Sequence, residues 1–301
     1  MREAHAAGPP VSTPSPGGRR VALVTGASRG IGRASARALA AVGLDVAIAA
    51  RTVHEGDAVD ETAPGGVLPI PGSLDSTARL VEEAGARALP LRMDLLDRNS
   101  VTGAVERVLE EWGRIDVLVN NAVHTGPGSM EPFLELDIDT VEAKLEANVV
   151  AQLVLIKAVL PGMLARGEGT VIDITSAVAT SDPPAPTGRG GWGLGYAVTK
   201  GAFHRVAGIL AVELGDRGIF AVNVDPGYVL TERMTAAQER LGLAGRYPGA
   251  PPSVPGSVVA WLAGGDGGVS PERRAELNGT TVIAQRVART EGLHPDWREP
   301  G

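Results

Sequence analysis

The chain has 301 residues, 44% of them hydrophobic and 21% charged, which is long enough and apolar enough for one large α/β domain with a full core. A net charge of −7 argues against nucleic acid as a partner, and the absence of cysteine excludes disulfides, thiolate metal sites and a cysteine nucleophile. The histidines, His5, His54, His124, His204 and His294, nowhere stand at metal-ligand spacing, and no run of about 18 apolar residues predicts a membrane span, so a cytoplasmic protein is expected.

Residues 1–18, rich in Pro, Gly, Ser and Ala without periodicity, predict a disordered leader. Val21-Ala-Leu-Val-Thr25 is apolar on both faces, as a central strand of a parallel sheet covered on both sides must be. The glycine loop Gly26-Ala-Ser-Arg-Gly30-Ile-Gly32 follows directly, then an alanine-rich helix over 31–42 and a second apolar strand over 44–50; the succession is a βαβ unit. Residues 52–76, with HEGD, TAPGG and PIPG, read as an insertion loop. A helix over 77–85 and a strand over 88–92 lead to Met93-Asp94-Leu95, and Asp97 or Asn99 can cap a helix that runs to Trp112.

The fourth strand, 115–120, ends in Asn120-Asn121-Ala122, and one long helix over 140–166 follows, its last turns bent by Pro161. A strand over 170–175 ends at Ser176. A loop over 177–195, loaded with proline and glycine, precedes the helix that carries Tyr196 and Lys200 to about Arg217. A strand over 220–225 enters Pro226-Gly227, and 228–255 is a mixed Gly/Pro segment. A short helix over 257–263, a last strand over 280–284 and a polar tail over 286–301 complete the chain. Seven strands alternating with helices, with no linker between two cores, predict a single doubly wound Rossmann-type α/β domain over 19–285, its seven-stranded sheet mostly or fully parallel and flanked by helices.

In Thr25-Gly26-x-x-x-Gly30-x-Gly32 the glycines permit a tight strand-to-helix turn and let backbone approach a pyrophosphate, to which the helix start offers free N–H groups. At the end of the second strand, where a carboxylate would hold the ribose hydroxyls of NAD, stand Ala50 and Arg51, and the loop adds Arg29. Two guanidiniums without a competing carboxylate suit a ribose 2′-phosphate, so NADP(H) is expected over NAD(H); Asp57 and Asp60 lie too far into the insertion to serve the ribose. Tyr196 and Lys200, four apart, share a helix face. A phenol of pKa about 10 is a poor proton-transfer group at neutral pH, and a nearby ammonium favours its phenolate. Alone, the pair equally fits a solvated helix face; the nucleotide loop upstream is what turns it towards carbonyl or alcohol chemistry.

TGASRGIG at 25–32, Asp94-Leu95, NNA at 120–122, Asn148, Ser176, Tyr196-x-x-x-Lys200 and Pro226-Gly227-x-x-x-Thr231 stand in order at strand ends, and through them residues 20–284 resemble the short-chain dehydrogenase/reductase family. The resemblance implies an oxidoreductase that moves a hydride between NADP(H) and a carbonyl or secondary alcohol. It makes Tyr196 the acid/base, has Ser176 hydrogen-bond the reacting oxygen, and has Lys200 lower the Tyr196 pKa and bind the nicotinamide ribose. Asn148 would hold a water that links Lys200 to solvent, Asp94 would meet the adenine amino group, and Asn120 would support the sheet edge. Gly26, Ser28, Arg29, Gly30, Ile31, Gly32, Arg51, Leu95, Asn121, Ala122, Pro226 and Gly227 would complete the cofactor contacts, with Val229 and Thr231 at the carboxamide. No metal is implied, the partner is a small carbonyl or alcohol, and a homo-oligomer, dimer or tetramer, is expected.

The chain also departs from the family. Val123 replaces the usual glycine after Asn-Asn-Ala, the 52–76 and 177–195 segments are longer than usual, and Gln285-Arg-Val-Ala-Arg stands where a glycine-rich ending is common. Substrate walls are expected from 177–195 and 228–255, with Trp192 either walling the pocket or lying on the surface; His124 and His204 receive no role. Two other readings are a non-catalytic NADP(H)-binding regulatory or scaffold protein and a relative acting on imines or by dehydration or epimerisation. The full set Asn148, Ser176, Tyr196 and Lys200 argues against the first of these.

Overall fold

A computed structural model describes residues 18–60, 68–240, 245, 248–265 and 267–297. The leader expected over 1–18 lies, but for residue 18, outside the described residues, as do parts of the 52–76, 228–255 and 286–301 segments. β1 (Val21–Thr25) is buried along its whole length, as its unbroken apolar run requires. α1 (Gly30–Ala41) and β2 (Asp45–Ala50) complete the first βαβ unit. A short antiparallel pair, β3 (Val59–Asp60) and β4 (Leu68–Pro69), leads to α2 (Leu74–Glu83) and β5 (Ala88–Arg92). α3 (Arg98–Trp112) is capped by Asp97, and β6 (Val117–Asn120) follows.

α4 (Ile138–Leu145), a π-helical turn over Glu146–Val150 and α5 (Ala151–Arg166) form one continuous rod ahead of β7 (Gly169–Ile174). α6 (Leu194–Leu214) and β8 (Ile219–Asp225) are followed by α7 (Glu232–Arg240), α8 (Ser253–Ala263) and α9 (Pro271–Leu277). β9 (Thr281–Ile283) and α10 (Ala284–Thr290) close the fold. The main sheet has the order β5-β2-β1-β6-β7-β8-β9, and every pair in it is parallel. Alternate residues of each strand feed two cores. Ala22 and Val24 pack with Leu39, Val254, Val258 and Val287 on one face, and Val21 and Leu23 pack with Val105, Leu155, Met163 and Phe203 on the other.

The architecture is the doubly wound one expected, and the differences lie between strands. The insertion at 52–76 is not loop throughout: it holds the β3–β4 pair, and α2 starts at Leu74 because Ser73 and Ser76 form a reciprocal cap. The mixed segment at 228–255 contains α7 and the start of α8. The polar tail is in its first part a helix: Ala284, Val287 and Ala288 of α10 are buried, and Leu293 and Trp297 pack onto the same core. α9 was not expected; Ser270 caps it and Pro271 opens it. The rod over Ile138–Arg166 is long and apolar enough to cross a membrane by composition. Its apolar side is the second core, where Ala151, Leu155, Val159 and Met163 lie against the sheet.

Candidate active site

The carboxyl ends of β1 and β6 are sewn together at the start of α1. Thr25 Oγ1 donates to the Val119 carbonyl at 3.2 Å and accepts the amides of Asn121 and Ala122, each at 3.0 Å. Asn121 Nδ2 donates back to the carbonyls of Thr25 at 2.9 Å and Gly26 at 3.2 Å. Gly26 and Gly30 have φ of +65° and +55°, which only glycine adopts without strain. Gly32 is required for space instead: a Cβ there would strike the Gly26 carbonyl oxygen and lie 2.5 Å from Asn121 Nδ2.

This tight cradle opens α1's first turn, whose N-cap Arg29 makes no side-chain cap bond, onto a cavity of about 300 Å³. Gly26, Ser28, Arg29, Gly30, Ile31, Arg51, Asp94, Leu95, Asn121, Ala122 and Thr231 line it, joined by Val123, His124 and Arg233. Of the other expected cofactor contacts, Gly32, Tyr196, Lys200, Pro226, Gly227 and Val229 are not on its wall. Gln285 Nε2 holds that last turn by donating to the carbonyls of Pro226 at 3.1 Å and Tyr228 at 3.0 Å. A glycine cradle and a helix N-terminus facing the cavity fit a dinucleotide.

At the far end a second cavity of about 290 Å³ shares Arg29, Arg51 and Asp94 and adds Arg92 and Asp57. Both expected guanidiniums line this cavity, and Arg29 is at the same time braced by the insertion: Nε donates to the Pro71 carbonyl at 3.0 Å and an Nη to the Gly72 carbonyl at 2.7 Å, and burial lowers its pKa. Arg92, which sequence reasoning missed, pairs in register with Ala50, so Arg51 and Arg92 leave neighbouring strand ends side by side. An arginine at the last residue of a strand next to the second in the sheet was the available signal. Asp94 also lines the cleft, with Oδ1 accepting the Leu96 amide at 3.1 Å.

Tyr196 lies in the first turn of α6, near enough to Ser176, which caps the short turn after β7, for the serine hydroxyl to favour its phenolate. Lys200, one turn further along, donates to the Ile174 carbonyl at 2.7 Å. Asn148 sits in the π-helical turn, where Oδ1 accepts the His124 amide at 2.6 Å and Nδ2 donates to the His124 carbonyl at 3.3 Å. π-turns mark functional positions often enough to be noted. Burial pushes the Tyr196 pKa up, Ser176 opposes this and Asp225 adds to it. Burial brings Lys200 down to about 8 against the pull of Asp173 and Asp225.

Beneath α6 a row of buried polar side chains crosses three strands. Asn120, Asp173 and Asn223 are register partners, 2%, 0% and 2% exposed. Asn120 Nδ2 donates to Asp173 Oδ1 at 2.9 Å, and burial raises Asp173 to about 7. Asn120 thus ties β6 to β7 through a carboxylate that the otherwise apolar Val171-Ile-Asp-Ile174 could have revealed. A second buried charge, Lys144, is 1% exposed and donates to the carbonyls of Gly126 at 2.8 Å and His124 at 3.3 Å. Lys144 and Asn148, a turn apart, thus fix the same loop after β6. His204 bridges strands, with Nδ1 3.1 Å from Thr175 Oγ1 and Nε2 3.3 Å from Thr281 Oγ1. Trp192 is half-buried, and its indole N–H is buried without a hydrogen-bond partner among the described residues.

The family model for short chain dehydrogenases matches residues 20–242. Among relatives, a short chain dehydrogenase of Pseudocercospora fijiensis is 33% identical over 76% of this chain and 65% of its own length. An L-rhamnose 1-dehydrogenase (NAD(P)(+)) of Sphingomonas is 31% identical over 80% of this chain and 87% of its own. The crystal structure of L-sorbose reductase from Gluconobacter frateurii, complexed with NADPH and L-sorbose, superposes with a TM-score of 0.71 at 27% identity, covering 88% of this chain and 94% of that one. The chain belongs to the short-chain dehydrogenase/reductase family, and it is an NAD(P)-dependent oxidoreductase.

Proposed function

We propose that the protein interconverts a carbonyl and a secondary alcohol, with NADP(H) as the preferred cofactor. The observation that carries the reading is Tyr196, in the first turn of α6, beside Ser176 at the carboxyl end of β7, with Lys200 one helical turn behind. The bound cofactor would supply or accept the hydride. Tyr196 gives its proton to the carbonyl oxygen in reduction and takes it from the alcohol in oxidation. Ser176 donates to that oxygen and stabilises the charge developing on it. Asn148 and Lys144 hold the His124–Gly126 backbone still beside the reacting groups. Lys200 serves the ribose hydroxyls and the proton path, and its proximity to buried Asp173 keeps an ammonium in a desolvated place.

Arg51 and Arg92 at adjacent strand ends support a 2′-phosphate contact. Arg51→Ala should weaken NADP⁺ binding by about 10–100-fold, the worth of one or two hydrogen bonds to a charged group, and leave NAD⁺ almost unchanged. Equal losses for both nucleotides, measured by calorimetry, would remove the preference. Purified protein should oxidise NADPH with a member of a panel of ketones and aldehydes. Sugars come first in that panel, since two relatives named above act on L-rhamnose and L-sorbose. Failure across the panel with tight NADPH binding would favour a binding protein instead.

Leu153 on α5 and Ile209 and Val212 on α6 are exposed apolar residues, Val212 by 88%, which suits a homo-oligomer. Light scattering should return a dimer or tetramer; a monomer at micromolar concentration would exclude that assembly.

A further inference from the structure

A dinucleotide bound as proposed places its pyrophosphate at the start of α1, and a side-chain carboxylate already stands there. Glu232, the first residue of α7, accepts the Gly30 amide through Oε2 at 2.8 Å, and its Oε1 lies 3.5 Å from an Arg33 Nη. Gly30 opens α1, so this amide is one of the unsatisfied donors at the positive end of the helix. The neighbouring Arg233 reaches the other way and donates to Thr125 Oγ1 in the loop after β6. Its side chain is on the wall of both cavities. Thr231 completes the contact, its methyl 3.1 Å from where a Gly30 Cβ would be. Residues 231–233 are thus a strap across the cleft, fastened at α1 by an anion and at β6 by a cation.

We infer that Glu232 and Arg233 set the affinity for the dinucleotide: the Glu232 carboxylate holds the pyrophosphate's place on α1 until displaced, and Arg233 is the cation the strap offers to the incoming phosphates. The inference rests on the dinucleotide reading above. A carboxylate and a diphosphate cannot share one amide donor, so binding must first break the Gly30–Glu232 bond. Every bit of stability that bond has in the empty protein is subtracted from the apparent affinity. Arg33, held by the Ser28 carbonyl at 2.8 Å and Ser76 Oγ at 3.3 Å, stays in place to receive the displaced carboxylate. Freed from Thr125, Arg233 has a planar fork suited to a phosphate.

The test is calorimetric titration of the full chain with NADP⁺ and, separately, inorganic pyrophosphate. Glu232→Gln should bind both about three- to tenfold more tightly, the range for a carboxylate at a partly buried helix start. Arg233→Gln should bind both about tenfold more weakly. Opposite signs matter, because damage to the strap as a structure would move both variants the same way. Glu106→Gln removes an exposed negative charge from α3, away from both cavities, and pyrophosphate affinity should stay within about twofold, since exposed charges away from the seat are screened. An equal gain in Glu106→Gln, or no gain in Glu232→Gln while NADP⁺ still binds, overturns the strap alone. A gain for pyrophosphate with no NADP⁺ binding to any variant supports the strap and overturns the dinucleotide reading.

Discussion

Tyr196→Phe should lower carbonyl reduction by about 10²–10⁴-fold, the usual contribution of a positioned proton donor, and leave NADP⁺ affinity close to that of the wild type. The substitution keeps the ring and removes only the hydroxyl beside Ser176, so its cost in stability should be at most about 1 kcal/mol. The pH dependence sharpens the test. Burial raises the Tyr196 pKa, so the phenol stays protonated across the neutral range, the form that serves as an acid. Burial lowers Lys200 to about 8, so the ammonium is present below that pH and lost above it. Reduction should therefore fall as pH rises through about 8, and the descending limb belongs to Lys200 rather than to Tyr196. Alcohol oxidation, which needs the phenolate to accept a proton, should gain with pH over the same range. Full activity in Tyr196→Phe, or a reduction rate that climbs across pH 8, would contradict the assigned roles.

The parallel sheet was legible because its central strands, β1, β2, β6, β7 and β8, are buried on both faces and largely apolar, the pattern of a doubly covered parallel sheet. The glycine loop was legible for a related reason: Gly26, Gly30 and Gly32 meet a local demand, two for left-handed φ and one for a close approach. What was not legible depends on partners far along the chain. Arg29 looked free for a phosphate, but carbonyls 42 and 43 residues away, at Pro71 and Gly72, use its donors. Nothing near Glu232 in the sequence points to Gly30, 202 residues earlier. Lys200 stands one turn from Tyr196 as the spacing requires, but spacing says nothing about the carboxylate of Asp173 that faces it from another strand. The true start of α2 and the whole of α9 had readable signals: Ser73 with Ser76 opens the first, and Ser270 with Pro271 the second. α10 has only a weak signal, since its burial comes from Leu293 and Trp297 folding back on the core.

Gly32→Val should abolish dinucleotide binding, with a loss of about 100-fold or more, because the chain has no way to yield at that point short of breaking the cradle. The added Cβ would meet the Gly26 carbonyl oxygen and Asn121 Nδ2, which are already bonded to each other. Neither is the far end of a flexible chain: the carbonyl is backbone in a left-handed turn, and the amide also holds the Thr25 carbonyl. Relief must come from moving α1 away from β6, which opens the helix start just where its amides should converge on phosphate. Overpacking of this kind costs about 1–3 kcal/mol of stability, so the variant should still fold, and its circular dichroism should show it. Gly103→Ala provides the contrast. Gly103 lies inside α3 with ordinary helical φ and open space where the Cβ would go, so alanine should stabilise the protein by about 0.5–1 kcal/mol and leave binding unchanged. If Gly32→Val folds and still binds NADP⁺ at wild-type strength, the phosphates are not held at the start of α1, and both Glu232 and the glycine loop need another explanation.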